Sequence, residues 1–169
     1  MSMRVVSDEP IFSALSLGGN LGDVRAAFRF ALERLASTPG VAVVATSSVY
    51  RTAPWGKLDQ PDFLNMAALL RVSLPARELL DLCLAIERDQ GRARIEHWGP
   101  RTLDIDILTY GDYVVEEPGL TIPHPRLADR AFVLTPLAEI APDTLVRGER
   151  VADLCSRVDA SGVNKTDQL

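Results

Sequence analysis

Two stretches of helical period, each bracketed by strand-like runs, leave this chain few architectures to choose from. The first, "NLGDVRAAFRFALERLASTPG", places Val24, Ala27, Phe28, Ala31, Leu32 and Leu35 at helical spacing and stops at Pro39-Gly40. Before it, "IFSALSLGG" reads as a strand closing in a glycine turn. After it, "VAVVATSSVYR" is rich in β-branched residues and reads as a second strand. The other helix, "PARELLDLCLAIERDQG", opens at Pro75 and ends at Gly91. It lies between the strand-like runs "FLNMAALLRVSL" and "TLDIDILTYG". The order β-α-β, β-α-β predicts an α+β fold, a ferredoxin-like, mostly antiparallel sheet with helices packed on one face. A small C-terminal strand and helix appendage follows, with a strand at "YVVEE", a short segment "GLTIPHP" and a helix at "RAFVLTPLAEIA". Residues 1–10 read as a flexible extension, 11–158 as a single domain, and 159–169 as a mobile tail.

Composition narrows the function classes. A net charge of −5 over 169 residues offers no overall basic field for nucleic acid or an anionic membrane. Cys83 and Cys155 match no metal-ligand spacing, and Cys83, inside "LLDLCLAI", reads as a buried apolar thiol. No apolar run approaches a membrane span, and "MSMRVVSDEP" lacks a signal-peptide core, so the expected compartment is the cytoplasm.

The residues with chemical potential gather around "HWGPRTLDIDIL". Strand residues i and i+2 share a face, so Leu103, Ile105 and Ile107 would meet the helices while Thr102, Asp104 and Asp106 look the other way. Taken alone, the two aspartates describe an acidic outer face on a half-exposed strand. They also suit Mg²⁺, which takes oxygen ligands and commonly binds one or two carboxylates plus substrate phosphates. Arg88, Arg92, Arg94 and Arg101 precede them, and guanidinium groups bind phosphate oxygens in pairs. Their segment, bounded by Gly91 and Gly99-Pro100, is either a solvated charged loop or a lid over a ligand. Arginines arriving just before a D-x-D strand favour a phosphate and metal site. Trp98 could seal such a lid, stack on a base or simply pack. His124, in "TIPHP", could donate to a phosphate or cap local structure. "GGNLGD" has neither the Lys-Ser/Thr of a P-loop nor the G-x-G-x-x-G spacing, and reads as a turn into the first helix. Phe63 and Asn65 share one side of their strand, which suits a flat heterocycle with hydrogen-bonding edges, although burial statistics alone favour a core role for Phe63.

"HWGPRTLDIDIL", "YRTAPWGKLDQPDFLN", "ERDQGRAR" and "LTIPHPRLADRAFVL" together make the chain resemble the 6-hydroxymethyl-7,8-dihydropterin pyrophosphokinases of folate biosynthesis. The similarity runs in register from about Ile11 to Asp143. It implies transfer of the β,γ-diphosphate of ATP to the hydroxymethyl oxygen of the pterin, with release of AMP. By this resemblance Asp104 and Asp106 hold two Mg²⁺ ions, and Arg92 and Arg94 act catalytically on the phosphates. ATP contacts are expected from Arg92, Arg94, Trp98, Arg101, Thr121, His124, Arg130 and the backbone at Ile107. The pterin is expected between Phe63 and Phe132, with its edge read by Asn65 and by the backbone near Thr52, Pro54 and Trp55. No nucleic acid, membrane or obligate protein partner is implied, and no fused second folate enzyme is expected.

The chain departs from some relatives in a few places. Ile95 stands where some carry a basic residue, in a loop one residue shorter. Ala53-Pro54-Trp55 replaces a Pro-Pro-aliphatic run, and Phe63 replaces a tyrosine, keeping the stacking face and losing a hydroxyl. None of these removes an expected metal ligand. Two alternatives compete: an RNA-recognition-like sheet, which the acidic charge and D-x-D oppose, and a silent relative that only binds nucleotide, which the intact Asp104, Asp106 and Arg92 oppose.

Overall fold

The structure is a computed structural model that describes residues 9–54, 59–91 and 102–169. Its core is a six-stranded sheet. The central strand β1 (Ile11–Gly19) pairs antiparallel with β4 (Phe63–Val72) on one side and β5 (Asp104–Ile107) on the other. Both β2 (Val41–Thr46) and β3 (Tyr50–Thr52) pair with the far side of β4, and β10 (Val163–Lys165) adds outside β3. The β1 and β2 strands run parallel with β4 between them, as the expected pair of split β-α-β units requires.

Helices α1 (Val24–Ala36) and α2 (Ala76–Asp89) lie on one face. The helical spacing read from the sequence holds: Val24, Ala27, Phe28, Ala31 and Leu35 are buried, and Leu32 packs at the margin. They join Leu79, Cys83 and Ile86 of α2 over Leu15, Leu17, Met66, Leu70, Ile105 and Ile107 of the sheet. Each fully buried Leu or Phe there contributes about 1.5–3 kcal/mol. Burial pushes the Cys83 thiol up to about 12, so it packs as a neutral apolar group. Asp23 starts α1 by accepting the Ala26 amide proton on its Oδ1, so "GGNLGD" is the turn into a helix that the sequence predicts.

The C-terminal appendage covers part of the opposite face. Helices α3 (Ala131–Ile140) and α4 (Val151–Ser156) pack Val133, Leu134, Leu137, Val151 and Leu154 against Ala14, Ala67 and Leu108. Two hairpins accompany them, β6–β7 (Val115–Glu117 with Leu120–Ile122) and β8–β9 (Leu145–Val146 with Glu149–Arg150). Arg147 and Gly148 link β8 to β9 with φ of 51° and 82°, the paired positive angles of a tight I′ turn.

Two expectations need correction. "VAVVATSSVYR" is not one strand, because Ser47 takes over a ladder position: its Oγ accepts the Ala67 amide proton at 2.8 Å. The tail expected to be mobile carries β10, and its Thr166 N–H and Oγ1–H both donate to Val49 O, at 2.9 and 2.7 Å. Leu169 packs on the main core. Among the described residues, no helix is long and apolar enough to cross a membrane.

Candidate active site

The half of the second sheet face that α3 and α4 leave open holds Asp104, Asp106 and Asn65, three of the polar residues singled out in the sequence. Residues paired across an antiparallel ladder share a face, so the register defines a row. Asp104 pairs with Gly18, Gly18 with Asn65, and Asn65 with Tyr50. Beside it runs a second row, Asp106, Ser16 and Ala67. Phe63 and Thr52 pair one step further along, on the same face. With strands about 4.8 Å apart, the Asp104 and Asn65 backbones stand roughly 10 Å from each other with only glycine between.

That glycine shapes the floor. A Cβ at Gly18 would come within 2.8 Å of Asn65 Oδ1, so the amide lies where an alanine methyl would be. Asn65 is buried, and its Nδ2 donates to Thr52 Oγ1 at 3.2 Å. The result is an oriented amide beside the half-buried face of Phe63. Sequence reading placed Phe63 and Asn65 together and missed Gly18, whose only signal is its position opposite both Asn65 and the D-x-D strand.

At the other side of the trough, Asp104 is half-buried, with its Oδ1 fully covered, and Asp106 is exposed. Their alternation with the buried Leu103, Ile105 and Ile107 is the one the sequence predicts. His124 is brought to the end of β5 by its own N–H, which donates to Leu108 O at 3.0 Å. Its ring accepts the Arg126 amide proton on Nδ1 at 3.2 Å, so the neutral imidazole carries its proton on Nε2. Burial pushes His124 below its ordinary pKa; Asp106 opposes the shift, and Arg130 and Arg126 reinforce it. The charges of Asp106 and Arg130 are both felt at His124. Arg130 lies over the Phe132 ring, with Cζ 5.6 Å from its centroid, at the entry to α3.

Thr121 is exposed on β7, and the Ile107 side chain is buried, so at that position of β5 only the backbone can face a ligand. Pro54 is half-buried just past β3. Trp55, Arg92, Arg94, Trp98 and Arg101 lie outside the described residues. A further contributor went unread: Asn20, buried in the "GGNLGD" turn, donates through Nδ2 to Gln60 Oε1 and Pro61 O, both at 2.9 Å. It ties down the loop that leads into Phe63.

The donor set at Asp104 and Asp106 is two carboxylates on one strand face, and among the described residues no group of three or more His, Cys, Asp and Glu side chains forms a metal site. Such a pair fits a hard cation that draws its remaining ligands from substrate oxygens and water. It does not fit an all-protein metal cage.

Comparisons with known proteins converge on one family. Residues 14–142 match the family described as 7,8-dihydro-6-hydroxymethylpterin-pyrophosphokinase (HPPK). A 2-amino-4-hydroxy-6-hydroxymethyldihydropteridine pyrophosphokinase from Methylorubrum extorquens is 47% identical over 153 residues, 90% of this chain and 97% of that one. The Pseudomonas aeruginosa protein of the same name is 41% identical over 152 residues, 89% of this chain and 94% of its own. Among solved structures, a Plasmodium falciparum HPPK-DHPS protein superposes with a TM-score of 0.72 at 15% identity, over 92% of this chain and 46% of that one. This chain thus spans about half the length of that two-part protein, and the likeness is one of fold. A family match over most of the chain, together with relatives above 40% identity along nearly their full length, settles the kinship: the chain belongs to the 7,8-dihydro-6-hydroxymethylpterin-pyrophosphokinase family.

Proposed function

We propose that the protein transfers the β,γ-diphosphate of ATP to the hydroxymethyl oxygen of 6-hydroxymethyl-7,8-dihydropterin, yielding AMP and the pterin diphosphate for folate biosynthesis. The observation that carries this reading is the shared face: a paired-carboxylate site and an oriented amide beside an aromatic ring lie on one trough, separated by a glycine. In the reaction the hydroxymethyl oxygen attacks the β-phosphorus, the bond from that phosphorus to the α,β-bridging oxygen breaks so that AMP leaves with that oxygen, and the hydroxyl proton passes to solvent. Such transfers depend mainly on alignment and charge stabilisation.

Asp104 and Asp106 would hold Mg²⁺, expected as two ions, at the phosphate end of the trough, where the metal would supply neutralisation of phosphate charge. Arg92, Arg94 and Arg101 bind phosphate oxygens, and Trp98 helps close the site. His124 donates its Nε2–H to the nucleotide, with Arg130, Thr121 and the Ile107 backbone as further contacts. The pterin lies between Phe63 and Phe132, and Asn65 reads its edge with help from the chain at Thr52, Pro54 and Trp55. The Asn65 amide is already fixed by Thr52, so little ordering is lost when the ring arrives.

Asp106→Ala separates the two ends. Turnover is expected to fall by about 100-fold or more, while pterin affinity measured by fluorescence titration stays close to wild type. Near-full activity of that variant at saturating Mg²⁺ would contradict the metal assignment.

A further inference from the structure

One carboxylate outside the trough joins several elements that form its walls. Glu139, in the last turn of α3, accepts on Oε2 from Ser48 N at 2.7 Å and Ser48 Oγ at 3.3 Å. On Oε1 it accepts from Tyr50 OH at 2.6 Å, and Lys165 Nζ of β10 stands 3.7 Å from that oxygen. Lys165 also pairs with Tyr50 in the β10–β3 ladder. A single side chain thus ties α3 to the break between β2 and β3, to β3 itself and to the tail.

From this geometry we infer that Glu139 is a positioning residue for the pterin slot, with Tyr50 as its principal partner. The inference rests on the placement of the pterin between Phe63 and Phe132. Phe132 and Glu139 are seven residues apart on α3, so they share a helix face and stand roughly 10 Å from each other along the axis. Tyr50 lies two residues before Thr52 on the trough face, directly across from Asn65. Fixing Glu139 to Tyr50 therefore sets the roll and offset of the helix that carries Phe132 against the strands that carry Asn65 and Phe63. The apolar contact beneath α3 mixes the small Ala14 and Ala67 with Leu108 and the half-buried Leu69, and the Glu139 bonds add direction to that packing. Hydrogen bonds to a carboxylate are directional and short, and they supply the register that smooth packing lacks.

The test is steady-state kinetics on the full chain, varying each substrate separately, with pterin affinity measured by fluorescence titration. Glu139→Gln is expected to raise the KM for pterin about tenfold and leave the KM for ATP nearly unchanged, short of the hundredfold cost of a full ångström of misplacement. Tyr50→Phe, which keeps the ring and removes one donor, is expected to shift the same constant in the same direction by less. Val151→Ala is the comparison: it opens the core under the same helices and is expected to lower Tm without moving the pterin KM. A pterin KM unchanged in folded Glu139→Gln and Tyr50→Phe would overturn the inference. So would equal movement of both KM values, or the pattern of Val151→Ala. If the wild-type chain turned over nucleotide without modifying pterin, the underlying site reading would fail first, and this inference with it.

Discussion

At Gly18 the absence of a side chain makes room for the Asn65 amide. The residue sits in register between Asp104 and Asn65, and the Asn65 amide occupies the space a methyl would need. Gly18→Ala is therefore expected to push that amide off Thr52 and raise the KM for pterin about tenfold, as an edge-reading group left out of line would. Because one rotamer change relieves the clash, Tm should move by only a few degrees. Kinetics combined with calorimetry check this, and an unchanged pterin KM would show that Asn65 reads nothing. Asp104 and Asp106 make the complementary case. Their identity was legible because strand alternation assigns them one face without any tertiary information, and their partners Gly18 and Ser16 were not, because register between β1 and β5 is set by non-local pairing.

Elements extend the same lesson. Helices α1 and α2 and strand β4 were readable because their periods are long and their apolar faces meet one core. The β2–β3 break was not, since it is made by distant groups: Ser47 bonds Ala67, and Glu139 of α3 takes the Ser48 amide. Nor was β10, whose sequence is polar because it is an edge strand with little to bury. Beyond the β10–β3 ladder, the tail is held by hydrogen bonds between Thr166, Asp167 and Gln168 and the segment just before β3, at Val49 and Ser48. Truncation after Val158 is expected to cost about 3 kcal/mol, at roughly 1 kcal/mol for each of several lost bonds. Thermal melts would read that as a large drop in Tm, together with association through the bared β3 edge. A truncated chain that melts as the full one does would contradict this role for the tail. Glu139 adds a pH signature. Burial would raise its pKa, but the bonds from Tyr50 and Ser48 and the charge of Lys165 hold it below its ordinary 4.5. The unfolded chain then binds more protons just below pH 4.5, so the stabilisation is complete above that value and fades as pH falls through the folded pKa. The Tm gap between wild type and Glu139→Gln should narrow over that acid range, and a constant gap would show that the carboxylate charge does not contribute.

On the scale of the whole molecule, function follows from incomplete cover. One sheet face is closed by α1 and α2, and the other is only half closed by α3 and α4. The open half carries the Asp104–Gly18–Asn65 row beside the Asp106–Ser16 row, with Phe132 and Arg130 at the rim of the covering helix. The sequence announced two β-α-β units and an appendage; that the appendage packs on the second face, and so defines the trough, depends on Ala14, Ala67 and Leu108 being small or apolar at positions only the folded register brings together. The central claim is that this trough joins a metal-bound triphosphate to a pterin alcohol. Its most direct test is to incubate the purified chain with ATP, Mg²⁺ and 6-hydroxymethyl-7,8-dihydropterin and to separate the products. The account predicts AMP and pterin diphosphate in equal amounts, both abolished by a chelator. Formation of ADP, or pterin left unmodified while the folded protein binds nucleotide, would contradict it.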